Sequence, residues 1–218
     1  MVSPLGKQLY TITDTGYIVI YNSKYNYVDD REIMQAIIKY GKVILDDNFN
    51  APIPFIIDGV SVLICGRAFN QQLNNLPCSL RILQIAALNN YMHSDFSKSL
   101  TNLPHGLEEL RLIAIESSIV ITKDLGYYLP STLKFLCISS GKCEIDLNML
   151  PDSIEKIYIK RVKLNIEDVV KIPSNLKLFC GDSSDWAFRE ELKAKFPELE
   201  VKSDNIRDYW LNNFWNRI

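Results

Sequence analysis

Proline recurs along this chain at nearly regular intervals, and that spacing restricts the fold more than any other feature of the sequence. Successive members of the series lie 21 to 27 residues apart. The series consists of Pro54, Pro77, Pro104, Pro130, Pro151, Pro173 and Pro197. An apolar residue precedes each proline, and in the first six units apolar residues follow it at the third and sixth positions. The shared unit is Leu-Pro-x-x-Leu-x-x-Leu-x-Ile, and its repetition predicts a stack of similar structural units.

The alternation within each unit predicts one short strand per repeat. Apolar residues at the sixth and eighth positions after proline point to the same side of a strand. Proline cannot donate a backbone hydrogen bond to a sheet, so it belongs to the turn before the strand. One unit cannot bury its own apolar side, whereas stacked units can. We therefore expect an α/β, β-rich solenoid with a parallel concave sheet of about six short strands. In the first unit this numbering places Val62 in the core and Leu63 on the concave side.

The repeats resemble the FNIP subclass of the leucine-rich-repeat proteins. The FNIP unit has the form F-N-x-x-(I/L)…(I/L)-P-x-S-(L/V)-x-x-L, and residues 69–80 have the sequence F-N-Q-Q-L-N-N-L-P-C-S-L. Residues 96–104 repeat this spacing with Ser97 in place of Asn, and residues 49–54 are a compressed copy. The resemblance covers about residues 49–201. It implies a leucine-rich-repeat fold and a protein of social amoebae, or of giant viruses that infect amoebae and act in the host cytoplasm.

Both ends of the chain are expected to cap the stack, because the end repeats would otherwise expose apolar layers. Residues 1–48 are predicted to form an N-terminal cap, a hairpin followed by a helix that begins after Asp29 or Asp30. The repeats then span 49–183, and a C-terminal helical cap with the last partial repeat spans 184–218. That cap carries four large aromatic residues at helical spacing, Tyr209, Trp210, Phe214 and Trp215. They are interpreted as packing within the cap, and alternatively as an interface for a homodimer or another partner.

The composition argues against several classes of protein. A net charge of −2 at pH 7 argues against a dedicated nucleic-acid-binding protein, and the lack of a long apolar run argues against a membrane-spanning helix. The five cysteines are scattered without a C-x-x-C pair, so neither a disulfide framework nor a zinc site is expected. This use of cysteine predicts a reducing compartment, the cytoplasm. The sequence also lacks a phosphate-binding glycine loop, and no cofactor is expected.

The clearest resemblance to a catalytic motif is the triplet Asp14-Thr15-Gly16, which matches the Asp-Thr-Gly motif of aspartic proteases. Residues 64–67 faintly match the second motif of the retroviral-type enzymes. That chemistry needs two aspartates that share a proton, and therefore a dimer or a second copy of the motif. Tyr17 also stands where these proteases carry a small residue. We interpret the triplet as a hairpin turn and assign no catalytic residue; a hydrolase that uses Asp14 is the remote alternative.

The predicted function is the binding of another protein through the concave side of the sheet. Residues that alternate with the core positions point to that side. The predicted contact residues are Ile82, Gln84, Glu109, Arg111, Ile113, Phe135, Cys137, Lys156, Tyr158 and Lys160. An apolar centre with flanking charges is typical of a protein-binding patch. The alternatives are a face filled by the caps or a solvated sheet. By analogy with the family, a second functional hypothesis is a substrate-recognition adaptor of a ubiquitin ligase.

Overall fold

Within the described residues of the computed structural model, ten strands form one sheet in which they follow the order of the sequence. The structure describes residues 9–21, 29–54, 56–86, 93–115, 122, 124–164, 167–181 and 186–203. The strands are β1 (Tyr10–Ile12), β2 (Ile18–Ile20), β3 (Lys42–Leu45), β4 (Val62–Cys65), β5 (Ile82–Ile85), β6 (Glu109–Ile115), β7 (Phe135–Glu144), β8 (Lys156–Lys163), β9 (Leu178–Gly181) and β10 (Glu200–Ser203). The helices are α1 (Arg31–Tyr40), α2 (Leu125–Tyr128) and α3 (Trp186–Lys195), with a 3-10 turn at Leu147–Met149.

The N-terminal hairpin and helix form where the sequence predicts them. β1 and β2 pair antiparallel. The Asp30 side chain accepts hydrogen bonds from the backbone N–H groups of Glu32 and Ile33 at 3.1 and 3.2 Å, which caps the start of α1. The helix ends at Gly41, whose φ of 62° is left-handed. The N-cap carboxylate and the C-cap glycine fix the two ends of α1 locally, before any packing is considered.

The parallel sheet is larger than the six strands that the prolines predict. β2 and β3 precede the first turn of the series, yet Ile20 pairs with Leu45 and Leu45 pairs with Cys65 in one parallel ladder. At the other end β10 pairs parallel with β9, with Lys202 opposite Cys180. The predicted strand number was wrong because strands from both ends of the chain join the sheet of the repeats. Pairing with the sheet gives hydrogen-bond partners to the backbone N–H and C=O groups of these end strands. Caps that did not join the sheet would leave those groups unpaired.

One side of every strand from β3 to β9 faces a continuous apolar core. The second residue of each strand lies directly opposite its neighbours and is fully buried. This row consists of Val43, Leu63, Leu83, Leu110, Leu136, Ile157 and Phe179. From Pro77 onward these are the residues at the sixth position after proline, as predicted. Each layer of the core is completed by the next repeat, which is the stabilising principle of a solenoid.

The first unit is offset by three residues from the prediction. Leu63, expected on the concave side, is fully buried in the core, and Val62, expected in the core, lies on the other side of the strand. The turn before β4 runs from Ile57 to Val60, closed by a backbone hydrogen bond of 3.1 Å. Ile57 therefore occupies the position that proline holds in later units. Pro54 was misleading because most residue types can begin such a turn.

A β-turn precedes the strand of each proline unit from Pro77 to Pro173, and the proline is its first residue. In the turn of Pro77, the backbone N–H of Leu80 donates to the proline carbonyl at 3.1 Å. A hydroxyl two residues after the proline then binds a backbone carbonyl of the preceding unit. These bonds join Ser79 to Val60 (2.9 Å), Thr132 to Leu107 (2.8 Å) and Ser153 to Leu133 (2.7 Å). In the Pro-x-Ser sequence, proline thus starts the turn and serine ties it to the previous repeat.

The Phe-Asn half of the repeat forms a second ladder away from the strands. The rings of Phe69 and Phe96 are buried and stack with centroids 6.3 Å apart and an interplanar angle of 6°. Asn70 Oδ1 accepts hydrogen bonds from the backbone N–H and the hydroxyl of Ser97 at 3.0 and 3.1 Å. Asn148 makes the corresponding contact to backbone N–H groups in a later unit. These amides satisfy backbone groups of the next repeat and so fix the stacking of the loops.

Candidate protein-binding face

The strand residues that alternate with the core positions form the second side of the sheet, which we call the outer face. It corresponds to the predicted concave side, and the cross-strand register arranges it in rows. The first row is Lys42, Val62, Ile82, Glu109, Phe135, Lys156, Leu178 and Glu200. The next is Ile44, Ile64, Gln84, Arg111, Cys137, Tyr158, Cys180 and Lys202. A third row includes Ile113 and Lys160. All ten predicted contact residues therefore lie on one face.

These ten residues differ in their exposure to solvent. Six are partly or fully accessible: Ile82, Glu109, Arg111, Ile113, Lys156 and Lys160. Four are buried: Gln84, Phe135, Cys137 and Tyr158. The periodicity of the sequence places all ten on the same side, but it carries no information about how deeply each is covered. The accessible six are the residues that a partner can reach directly.

A second hydrophobic cluster lies on the outer face, separate from the core. Its buried members are Ile44, Val62, Ile64, Phe135, Cys137, Tyr158 and Cys180. Ile44, Val62 and Ile64 were missed by the sequence prediction, since β3 precedes the proline series and the first unit is offset. The signal that could have found Ile44 is the apolar run 43–45, which begins two residues after the C-cap glycine Gly41. The cluster makes the outer face a layer of apolar packing in its own right, unlike a solvated sheet.

Arg111 is held in the middle of the outer face between a carboxylate and an aromatic ring. Its guanidinium forms a salt bridge of 2.5 Å with Glu109 on the same strand. Its Cζ atom lies 5.4 Å from the ring centroid of Phe135 on β7. The Phe135 ring is in turn 5.4 Å from that of Tyr158 on β8, tilted by 48°. This chain of contacts crosses three strands and presents an anchored arginine next to aromatic side chains, the residue types that dominate binding energy at interfaces.

Two thiols flank Tyr158 in its row, Cys137 on β7 and Cys180 on β9. Both are buried, and neither forms a disulfide within the described residues. Burial raises the pKa of the Cys137 thiol to about 12, and the positive charge of Arg111 offsets this only in part. The thiol is therefore protonated at neutral pH and is not an activated nucleophile. The intervening tyrosine confirms that the two cysteines stand two repeats apart, so they do not pair.

Gln84 supplies a polar atom without a partner on this face. The residue is 3% exposed, and its side-chain oxygen Oε1 has no hydrogen-bond partner within the described part of the chain. A buried acceptor that stays unsatisfied costs roughly 1–3 kcal/mol. The position therefore has an unused capacity to accept a hydrogen bond from an N–H or O–H group placed over β5.

The β8 strand makes one side of the outer face basic. Lys156, Tyr158 and Lys160 alternate along it and share the face. Lys156 is exposed and Lys160 is partly exposed. Among the residues that the structure describes, neither lysine forms an ion pair, whereas Arg111 is neutralised by its neighbour Glu109. The free charge on the accessible part of β8 is therefore positive.

Asp14 lies in the tight turn of the hairpin, as the simpler interpretation predicts. The side chain is exposed, and Gly16 has a φ of 78° that the turn requires. A Cβ atom at Gly16 would come within 2.9 Å of the Tyr40 ring. The other protease-like segment, residues 64–67, ends beyond the carboxyl end of β4, whereas Asp14 precedes the amino end of β2. The parallel ladder thus puts the two segments at opposite ends of the strands, and residues 64–67 contain no aspartate that could pair with Asp14.

The remaining predicted features have a mixed outcome. Tyr209, Trp210, Phe214 and Trp215 lie outside the described residues. In the described ranges, no group of three or more His, Cys, Asp and Glu side chains is arranged to hold a metal ion. No helix in those ranges is long and apolar enough to cross a membrane.

Comparisons with known proteins add little to this geometry. No protein-family model and no curated protein matches the sequence. Among solved structures, the fold is similar to the crystal structure of CroV588, a giant-virus protein described as a novel circular LRR protein. The match has a TM-score of 0.33 and 15% sequence identity, and it covers 80% of this chain and 38% of CroV588. The chain therefore spans well under half of that protein, and the match assigns neither a family nor a function. The chain's own ladder of proline turns and parallel strands shows a solenoid of repeated turn–strand units.

Proposed function

We propose that this chain is a non-enzymatic, FNIP-type leucine-rich-repeat module that binds a partner protein through its outer face and acts in the cytoplasm. The observation that carries the proposal is the composition of that face. A buried aromatic and aliphatic cluster is bordered by the accessible residues Ile82, Ile113, Arg111 and Lys160. An apolar centre with a charged margin is the usual anatomy of a protein–protein interface.

Gln84 supports a contact at the β5 part of the face. Its buried Oε1 has no partner within the described residues, while the neighbouring Ile82 remains partly accessible. Because this oxygen is itself buried, a partner's donor reaches it only when the Gln84 side chain turns toward the surface, and that contact would remove the cost of leaving it unpaired. Such a site also discriminates against partners that offer no donor there.

The charges on β8 indicate which kind of partner surface would bind the outer face best. Lys156 and Lys160 bring two positive charges, and neither forms a salt bridge within the described residues, although Glu155 interacts electrostatically with Lys156. An acidic partner surface is steered toward such a patch, and complementary charge raises the association rate more than the affinity. We therefore expect a partner with acidic residues beside an apolar contact.

The proposal is tested with variants of accessible residues in a pull-down from an extract of the source cells. Ile113→Asp and Lys160→Glu change the outer face, whereas Val170→Asp changes a side chain that is 81% exposed and lies outside that face. The same partner should be recovered by the wild type and by Val170→Asp, and lost with the two face variants. Equal recovery by all four proteins, with unchanged melting temperatures, would show that the outer face is not the binding surface.

The adaptor role in ubiquitination stays a prediction. No described residue favours a ligase component over another partner. Recovery of ligase scaffold components with the wild-type chain in the same pull-down, and their loss with Ile113→Asp, would support it. A partner set without such components would count against it.

A further inference from the structure

Five charged residues of alternating sign stand in one row at the edge of the sheet where the strands begin. Each occupies the fourth position after a repeat proline, directly before the strand of its unit. The charged row, as we call it, consists of Arg81, Glu108, Lys134, Glu155 and Lys177. Backbone hydrogen bonds of 2.8 to 2.9 Å join each member to the next. The backbones of successive members are therefore held at the strand spacing, about 4.8 Å.

Neighbours in the charged row interact within the chain, but their side chains stay accessible. Lys134 donates a hydrogen bond of 3.0 Å to Glu108, and Arg81 Nε lies 3.7 Å from the same carboxylate. Lys177 donates to Glu155 at 2.8 Å. The four members from Arg81 to Glu155 are 36% to 56% exposed. Because ion pairs in contact with water are weak, these charges keep the capacity to interact with further opposite charges.

A groove of about 400 Å³ follows the same part of the charged row. The charged side chains that line it are the four members from Arg81 to Glu155. The adjacent turns contribute small polar side chains: Ser131, Thr132, Ser153 and Asn175. Within the described residues, the lining contains no apolar side chain. Such a groove suits the charged side chains of a partner better than an apolar segment.

The spacing of the charged row indicates the kind of partner that fits it. Residues four apart on a helix are separated by about 6 Å along the axis, and alternate residues of an extended strand by about 6.8 Å. Over four members of the row, charges at either spacing drift by roughly one member. A second copy of this chain carries the same row at the same spacing, so its charges stay in step throughout.

We propose that the chain forms a two-fold symmetric contact with a second copy along the charged row, with the axis between Glu108 and Lys134. A two-fold axis places the two rows antiparallel. Glu108 then faces the partner's Lys134, and Arg81 faces the partner's Glu155. Both pairs occur twice, which gives four contacts between opposite charges. Lys177 faces the partner's Ser61, the uncharged residue whose carbonyl accepts the backbone hydrogen bond of Arg81.

The alternating signs and the groove together fix the position of the axis. An axis through Lys134 would place like charges opposite each other along the whole row. An axis between Lys134 and Glu155 would again bring opposite charges together, but it would use Lys177, which does not line the groove. The groove therefore selects the axis between Glu108 and Lys134.

This contact is independent of the proposed partner on the outer face. It uses residues that precede the strands, and none of them belongs to the ten predicted contact residues. The proposed function can therefore fail while this contact holds, and the contact can fail while the proposed function holds.

Sedimentation velocity of the full-length chain tests the contact. We expect the wild type to dimerise weakly at low ionic strength, with a dissociation constant that rises about tenfold or more in roughly 0.5 M salt, because salt screens the exposed charges. Glu108→Lys and Lys134→Glu each place two pairs of like charges across the axis, and each should weaken dimerisation about tenfold or more. Lys177→Glu changes the net charge as Lys134→Glu does, but it lies outside the four pairs and should leave the dissociation constant unchanged.

An equimolar mixture of the Glu108→Lys and Lys134→Glu chains gives the sharpest result. All four pairs are again opposite in charge, so the mixture should form a heterodimer although neither chain dimerises alone. A wild type that stays monomeric at low ionic strength up to about 1 mM would overturn the proposal. Single variants that dimerise as the wild type does, or a mixture of folded variants without a heterodimer, would also overturn it.

A double variant replaces the mixture if a single variant does not fold. Glu108→Lys combined with Lys134→Glu breaks the alternation of charge within one chain, yet it keeps all four pairs opposite in charge across the axis. Dimerisation of the folded double variant supports the contact between copies. A monomeric double variant would show that the charges act only within the chain.

Discussion

The hydroxyl of Ser153 donates a hydrogen bond of 2.7 Å to the backbone carbonyl of Leu133, one turn earlier in the solenoid. The contact joins two repeats through a group that the sequence repeats two residues after proline. We expect Ser153→Ala to lower the free energy of unfolding by about 1 kcal/mol, because the carbonyl loses its donor. Urea unfolding measures the change. Ser131→Ala, an exposed neighbour in the same turn, should stay within about 0.5 kcal/mol of the wild type; equal losses for the two variants would contradict the account.

Asn148 links three backbone groups of the following unit. Its Oδ1 accepts from the N–H groups of Val170 and Lys171 at 2.8 and 2.9 Å, and its Nδ2 donates to the Asp168 carbonyl at 3.0 Å. Asn148→Ala leaves these groups unpaired and should cost roughly 2 kcal/mol of unfolding free energy. Asn102→Ala removes only an exposed side-chain contact to Asn74 and should stay within about 0.5 kcal/mol of the wild type. Thermal and urea unfolding compare the two variants, and equal losses would show that the backbone bonds of Asn148 are unimportant.

Gly41 combines a left-handed φ of 62° with close packing against the next turn. A Cβ atom at this position would lie 2.5 Å from the carbonyl oxygen of Gly59. Gly41→Ala should therefore destabilise the protein by about 2 kcal/mol or more. Asparagine tolerates the left-handed conformation better than alanine, but it also carries a Cβ atom. Gly41→Asn should consequently recover little stability, and a near-wild-type melting temperature for it would mean that only the backbone conformation matters.

Asp152 makes stability depend on pH at the acidic end. The backbone N–H of Ser174, followed by the Lys171 ammonium, holds the pKa of this carboxyl below its ordinary value of 3.8. Its contribution is therefore fully present above pH 3.8 and is lost as the pH falls through the lower pKa of the folded state. The melting temperature of Asp152→Asn should lie below that of the wild type at pH 7, and the gap should shrink below pH 3.8. A gap that stays constant with pH would exclude this linkage.

The proline turns explain how much of the fold is predictable from sequence. In the units from Pro77 to Pro173, core residues such as Leu83 and Leu136 lie where the repeat predicts. In each unit a backbone hydrogen bond to the proline carbonyl closes the turn at the third residue after proline. The next core residue follows three positions later. The hairpin and α1 were also predicted correctly, since their turn and cap residues act locally.

The sequence predictions were wrong where the position of an element depends on residues that are close in space but distant in sequence. β3 has no proline turn, and its place in the ladder depends on pairing with β4. The first unit is offset by three residues because its turn begins at Ile57 and not at Pro54. Most residue types can begin such a turn. The burial of Tyr158 depends on its neighbours in space, about which the periodicity of β8 carries no information. Sequence thus predicts the direction of a strand side chain better than its exposure.

Site-specific photo-crosslinking shows whether the outer face binds a partner protein. The crosslinking residue p-benzoylphenylalanine is placed at position 82 on the outer face or at position 127, where the native tyrosine on α2 is 69% exposed. Each full-length protein is irradiated in an extract of the source cells. We expect position 82 to yield a discrete adduct that an excess of wild-type chain suppresses, and position 127 not to yield it. The same adduct from both positions, or none from position 82, would contradict the claim.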